Sequence, residues 1–399
     1  MQGRLKTKQR GAVSIFIVIF TALLVTVVTT SFVQIMLRNQ QQASNNDLSQ
    51  SAYDSALAGV EDAKRALVAL KKCQRGIVPD ATCDGLQTAL ENSTDCQILG
   101  DNRVNIAVFG DNGEVPVGDA SLNQAYTCVK VKVQTDSYTG TLLDANDTVV
   151  IPLLPVGASN DVKAIRISWF VKGDLPEVSR DQPTVYPSLV SLPAYASWGS
   201  RTPPIMRAQL MQFAKGKAIN LADFDGAAAQ TRFLYPLRQE PAKPLKSDTF
   251  NLGARRTGAG SMTSGGCRTN FDDYGGYACS VELALPDMPA GDNREAYLQL
   301  ASIYTRATVG YKVELLNNVG STGVIQFDNV QPEVDSTGRA SDQFRRVKAR
   351  VTVSPSGAPL PFPEAPVTTK DLCKEFFITN SPTDYNGNAN GDSTTCTPS

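Results

Sequence analysis

The chain has 399 residues, with 38 basic and 39 acidic side chains, a formal net charge of −1 and no histidine. That balance gives no general attraction to nucleic acid, and the missing imidazole removes Ser-His-Asp and Cys-His nucleophiles, HExxH zinc chemistry and every histidine-ligated metal site. No Ser-Lys or paired-carboxylate motif stands out, so neither an enzyme nor a cofactor is expected.

The chain is organised around Gly11 to Leu37, GAVSIFIVIFTALLVTVVTTSFVQIML, which contains no charge, no proline and no glycine after Gly11. At helical rise it is long enough to cross a hydrocarbon core of roughly 30 Å. Its Val, Ile and Thr residues favour strands in water, but an open strand in lipid leaves its backbone N–H and C=O groups without partners. A membrane helix over 12–37 follows. Arg4, Lys6, Lys8 and Arg10 precede it with no acid among them, so the positive-inside rule keeps the amino terminus cytoplasmic and sends the rest outside.

Beyond Arg38, residues 38–72 continue the helix. Leu48, Ala52, Ala56, Val60, Ala63, Leu67 and Leu70 recur three or four apart as one narrow apolar stripe. Such a stripe suits a helix laid on the outer domain's own sheet, with part of it packing on neighbouring rods as the functional alternative. Glu61 stands four residues before Arg65, the favourable order for a surface pair. Lys71 and Lys72 complement the carboxyl end of the helix dipole. One rod from about Ala12 to about Lys72 is expected, on the order of 90 Å long.

A basic leader (1–11) that ends in Gly11, followed at once by the apolar run, resembles the class III signal of type IV pilins and pseudopilins. The stretch SAYDSALAGVEDAKRAL is similar to the post-membrane helix of PilX-type minor pilins. The resemblance implies cleavage between Gly11 and Ala12 by a prepilin peptidase, methylation of the new amino terminus at Ala12, and assembly with other pilin subunits and the pilus machinery. Most members carry a glutamate at the fifth mature position, where this chain has Phe16. Pseudopilins at the tip of such filaments commonly lack it, so the departure implies a minor, non-repeating subunit. A signal-anchored surface adhesin or binding module, never built into a filament, is the alternative.

The expected fold class is α+β: the long helix, then a β-rich, antiparallel, disulfide-containing extracytoplasmic region. Cys73, Cys83, Cys96, Cys128, Cys267, Cys279, Cys373 and Cys396 are even in number and absent from the membrane segment. Outside the cytoplasm they read as up to four disulfides. Cys267–Cys279 and Cys373–Cys396 are the expected local pairs, since each encloses a Gly/Asn-rich loop.

After a cysteine-bearing loop region with one short helix, LQTALEN, strands dominate. RVNIAVF, YTCVKVKVQT, TVVIPLL and AIRISWFV fill a first lobe, 73–180. Val129, Val131 and Val133 alternate with Lys130 and Lys132, the pattern of a half-buried sheet. Six prolines between Pro176 and Pro204 suggest a connection over 181–204 between two lobes. A second lobe, 205–380, holds PIMRAQLMQFA, TRFLYPL, CSVELAL, AYLQLASIYT, GYKVELL, GVIQFDNV and QFRRVKARVTV. A polar tail, 381–399, follows.

Four candidate sites compete with plain structural readings. Asp384, Asn386, Asn388, Asn390 and Asp392 alternate as in a calcium loop, but Ala389 and Thr395 stand where Gly and Glu are required, so a turn is the better reading and no metal is expected. GAGSMTSGG lacks the Lys-Ser/Thr of a phosphate loop. GDNGEVPVGD and DANDT are turn chemistry. Arg346, Lys348 and Arg350 share a strand face opposite Val347, Ala349 and Val351; such a stripe can meet DNA phosphates, but is more simply a solvated strand face.

Overall fold

A computed structural model describes residues 12–74, 80–92, 94–118, 123–143, 147–157, 161–179, 184–187, 195–214, 229–239, 245–250, 262–286, 294–303 and 308–353. It is an α+β chain, with a long apolar helix followed by β-rich, largely antiparallel structure carrying disulfides. The helix α1 (Ala12–Gln74) is one uninterrupted element of 63 residues. The second helix, α2 (Asp80–Asn92), starts earlier than LQTALEN indicates.

The strands follow in order. They are β1 (Val115–Pro116), β2 (Gln124–Thr135), β3 (Tyr138–Leu142), β4 (Thr148–Pro152), β5 (Ala164–Val171), β6 (Ile205–Ala214) and β7 (Ala229–Arg238). Then come β8 (Ser247–Thr249), β9 (Met262–Cys267), β10 (Tyr277–Ala284), β11 (Arg294–Ile303), β12 (Val309–Leu316), β13 (Phe327–Ala340) and β14 (Gln343–Arg350). RVNIAVF forms no strand. Val104 and Asn105 donate to the Asp101 carbonyl, and Ile106 and Ala107 to that of Leu99, so local turns take the backbone bonds a ladder needs.

Contacts divide the chain into two units, with boundaries at Asp136/Ser137 and Ile325/Gln326. The second unit is thus an insertion between β2 and β13 of the first. This corrects the division into lobes 73–180 and 205–380: the proline-bearing stretch 181–204 falls inside the second unit. Proline marks irregular or edge backbone, and that need arises within a domain as readily as between two.

In the first unit, the sheet order is β1-β2-β13-β14, all antiparallel. The helix stripe lies on it: Ala52, Ala56, Val60, Ala63, Leu67 and Leu70 are buried, with Leu48 half-buried at its start. They pack with Val129, Val131 and Val133 of β2, Val334 of β13, and Val347, Ala349 and Val351 at the far edge. Leu86, Ala89 and Leu90 of α2 close the same core. Small residues let helix and sheet approach closely. A Cβ on Gly338 of β13 would meet the backbone at Ala52 and Ala56, so only glycine fits there.

In the second unit, the strands run β3-β12-β5-β10-β9-β7-β6-β11-β4, with β8 beside β10. Pairing is antiparallel except for β7–β9 and β8–β10. Ile165, Ile167 and Trp169 of β5 share one face, as their alternation indicates, and all three are fully buried. Register sets them beside Leu283, Val281 and Cys279 of β10 and Leu315, Val313 and Tyr311 of β12. The Trp169 indole donates to the Pro204 carbonyl at 3.0 Å, and Gly265 of β9 leaves room for its ring.

Candidate functional site: the apolar half of the long helix

From Ile15 to Leu37 every position of the helix is exposed, with none covered by the described residues. Ile15, Phe16, Ile17 and Val18 are each more than half exposed, and four consecutive positions go round the helix; Phe20, Leu24, Val28, Phe32 and Met36 beyond them are more than half exposed too. An 18-residue window reaches a mean hydropathy of 2.5 with none of it buried. A helix apolar on every side must be covered by something other than water, since each large side chain left in water forgoes about 1.5–3 kcal/mol of burial free energy. This one is long and apolar enough to span a membrane.

The few hydroxyls in this half need no water. Thr21 donates to the carbonyls of Ile17 (2.8 Å) and Val18 (3.0 Å). Thr26 donates to Ala22 and Leu23, Thr29 to Val25, Thr30 to Thr26, and Ser31 to Val27. These five hydroxyls are satisfied by their own helix, the condition for a polar group to enter hydrocarbon or a packed helical core.

Arg38 is the first charge after this run, and residues 39–47 are polar and exposed all round. The docked half then begins. Its solvent side pairs Arg65 with Asp62 at 2.9 Å and Lys64 with Glu61 at 3.7 Å, so the expected Glu61–Arg65 pair does not form. Asp62 wins Arg65 because it also accepts from the Tyr126 hydroxyl at 2.9 Å, which fixes the carboxylate. Burial and that neighbouring carboxylate push the Tyr126 phenol well above its ordinary pKa.

At its carboxyl end the helix is tied to a bulge of β13, a contact the sequence does not announce. The register slips between Asp328 and Glu333, and Asn329 takes a left-handed φ of 48° while fully buried. The Lys71 ammonium is buried and donates to the Asn329 carbonyl at 2.9 Å. Gln74 donates to Asp328 at 3.3 Å and accepts from Asn329 at 3.1 Å. Burial raises the Asp328 pKa, Glu91 adds to the rise, and Lys71 opposes it. A left-handed asparagine is the one signal that could have flagged the bulge.

Among the described residues two disulfides lie within the first unit and one within the second. Cys73–Cys83 joins α1 to α2, Cys96–Cys128 joins the preceding loop to β2, and Cys267–Cys279 joins β9 to β10. The last is the local pair expected from its Gly-rich loop, although Met262–Cys267 of that loop is a strand. Cys373 and Cys396 lie outside the described residues, as do Gly11 and the candidate calcium loop at 384–392. Ala12 is the first helical residue, and Phe16 is 76% exposed on the next turn. The basic stripe on β14 is matched on β13, with Arg346 on Asp335, Lys348 on Glu333 at 2.8 Å and Arg350 on Glu333 at 3.4 Å. This is a solvated strand face with its charges balanced in place, not a phosphate track. Among the described residues no cluster of metal-ligating side chains occurs.

No family model and no curated protein matches the chain. Among solved structures it is similar, at 10% identity, to a chain described as "Complete structure of manganese lipoxygenase of Gaeumannomyces graminis and partial structure of zonadhesin of Komagataella pastoris". The match covers 59% of this chain and 64% of that one with a TM-score of 0.09. It spans under two thirds of that structure, and so low a score carries no argument.

Proposed function

We propose that this protein is a type IV pilin-like filament subunit, and a minor one placed at the tip. The observation that carries the reading is the single helix Ala12–Gln74, apolar on every face in its first half and docked on the chain's own antiparallel sheet in its second. A rod of that kind is stable in lipid, and equally in a bundle of like rods that replaces the lipid. The resemblance of the leader to a class III signal supplies the rest. Hydrolysis of the Gly11–Ala12 bond frees the Ala12 amine for methylation, and the helix waits in the membrane until the assembly machinery extracts it. The leader's basic residues orient the amino terminus inward, which puts the disulfide-bearing units in an oxidising compartment where such bonds persist.

Phe16 sets the position in the filament. Without a carboxylate there, this subunit cannot neutralise the amino terminus of a preceding neighbour, and it tolerates having none. The role is assembly, with no chemistry performed on a substrate. The test is the distribution of the protein between cell envelope and sheared surface filaments, in cells with and without the assembly motor. Recovery in the filament fraction, at a few copies per filament and only with the motor, is the expected result. Protein confined to the envelope in both strains would instead identify a permanently anchored surface module.

A further inference from the structure

The second unit carries a polar cavity of about 450 Å³ on the face of its sheet opposite Trp169, within the size range of small-ligand sites. Three central strands form its floor. Register sets Arg166 of β5 between Glu282 of β10 and Glu314 of β12, and in the next row Ser168 between Ser280 and Lys312. The Arg166 guanidinium donates to Glu282 at 2.7 Å and faces Glu314 at 3.5 Å; Lys312 reaches Glu314 at 3.1 Å. Ser168 and Ser280 share a hydrogen bond of 2.9 Å and are buried.

The wall is a short segment held rigidly over that floor. It follows Cys267, which is bonded to Cys279 of β10 on the sheet's other face. Within it Arg268 faces Asp273 at 3.5 Å and lies 4.6 Å from the centre of the Tyr274 ring. Two glycines in left-handed conformation, Gly275 (φ 63°) and Gly276 (φ 96°), turn the chain back into β10. Phe271 of this segment stacks on Phe170 of β5, a buried aromatic at φ 69°. A bulky residue in that region is strained and persists only where surrounding structure enforces it, most often beside functional sites.

A sheet face built only for stability would be apolar here, since well-packed hydrophobic residues replace buried ion pairs at little or no cost. The retained polar floor, the strained strand and the disulfide-pinned wall together describe a preorganised site. We infer that this cavity binds a neutral, polyhydroxylated ligand: one or a few sugar residues of an uncharged saccharide.

Charge balance selects the class. Arg166, Arg268 and Lys312 each already face a carboxylate, so an anionic ligand would have to displace Glu282, Asp273 or Glu314, and a cationic one would meet three fixed cations. Leu245 is the sole aliphatic lining side chain among the described residues, which disfavours apolar ligands. What the lining offers is a close mixture of donors and acceptors. Glu314 uses one of the three N–H bonds of Lys312, the serines are donor and acceptor at once, and the Tyr274 hydroxyl is buried beside the Arg268 guanidinium, which leaves its own proton to donate. Burial raises the Tyr274 pKa, which keeps that hydroxyl protonated and able to donate. Sugar hydroxyls, each donor and acceptor, match such a lining. Nothing in this site depends on how the helix is used.

The test is binding of the full chain, held in a polyoxyethylene detergent that carries no sugar, to an array of neutral, acidic and amino oligosaccharides. The strongest neutral binder is then titrated calorimetrically against Tyr274→Phe and Lys312→Met. The first removes only a hydroxyl, and unchanged Trp169 and Trp198 fluorescence confirms that the unit is folded in both. Neutral saccharides bound in preference to acidic ones, with affinity lowered about fivefold by Tyr274→Phe and about tenfold by Lys312→Met, is the expected result. No neutral saccharide bound, a preference for acidic ones, or affinity unchanged in both variants would each overturn the assignment.

Discussion

Leu24 and Leu67 lie on one continuous helix, yet Leu24 keeps 52% of its surface exposed and Leu67 none. The two halves differ in what surrounds them and not in helical geometry. In the first half apolar residues lie on every side of the axis, and the hydroxyls of Thr21, Thr26 and Thr29 bond back to their own helix's carbonyls, which suits the segment to lipid. In the second half the buried apolar residues form one stripe, and the opposite side is mostly polar and charged. The first half requires a partner that the described residues do not supply; the second has found its partner in β2, β13 and β14.

Truncation separates the halves most strongly. Leu67→Ala should destabilise the first unit by about 2–5 kcal/mol, because it empties a site closed by helix and sheet, whereas Leu24→Ala should leave that unit's stability unchanged. Amide exchange at residues 60–70 of the full chain in detergent reads the difference. Equal effects would mean the halves are not separate. Charge reverses the order. Leu24→Arg places a cation mid-helix at a cost of about 2.5–3.5 kcal/mol for membrane insertion, visible as loss from the carbonate-resistant membrane fraction. Leu57→Arg, on the solvent side of the docked half, should change stability by no more than about 0.5 kcal/mol.

The close approach of helix and sheet gives the next effect. Gly338→Val must push the helix backbone away from β13, costing about 1–3 kcal/mol, and should raise exchange at Ala52 and Ala56 before it affects Leu70. The smallest effect is a pH dependence at the helix end. The Asp328 pKa is raised in the fold above the ordinary 3.8, so its contribution is fully present below that value and is lost as pH rises through the folded pKa. Asp335, lowered by Arg346, behaves oppositely: its contribution is present above the ordinary value and is lost as pH falls. Asp328→Asn should flatten the decline above pH 4 in denaturation midpoints of the first unit, and should leave the acid-side loss intact.

Regular patterns were legible in the sequence. The stripe from Leu48 to Leu70 and the alternation Val129-Val131-Val133 each depend only on neighbours along the chain, and both end in the core they imply. β5 was readable to the residue for the same reason. β13 beyond Asn329 was not, because Pro332, Asp335 and Gly338 read as turn residues. Gly338 is there to admit the helix, and Pro332 sits by the bulge that meets Lys71. The insertion of the second unit was hidden as well: both junctions fall in ordinary strand-like sequence, while the prolines that suggested a linker lie within one unit. The floor of the polar cavity draws Arg166 and Ser168 from β5, Ser280 from β10, and Lys312 and Glu314 from β12, strands far apart in the chain, so no local spacing could have exposed it.

The measurement that bears most directly on the filament reading is the mass of the amino-terminal peptide of the mature protein, from cells with and without prepilin peptidase. A peptide beginning at methylated Ala12, found only when the peptidase is present, is the predicted result. A chain that keeps Met1 to Gly11 in both strains would contradict it and leave a surface protein on a permanent anchor.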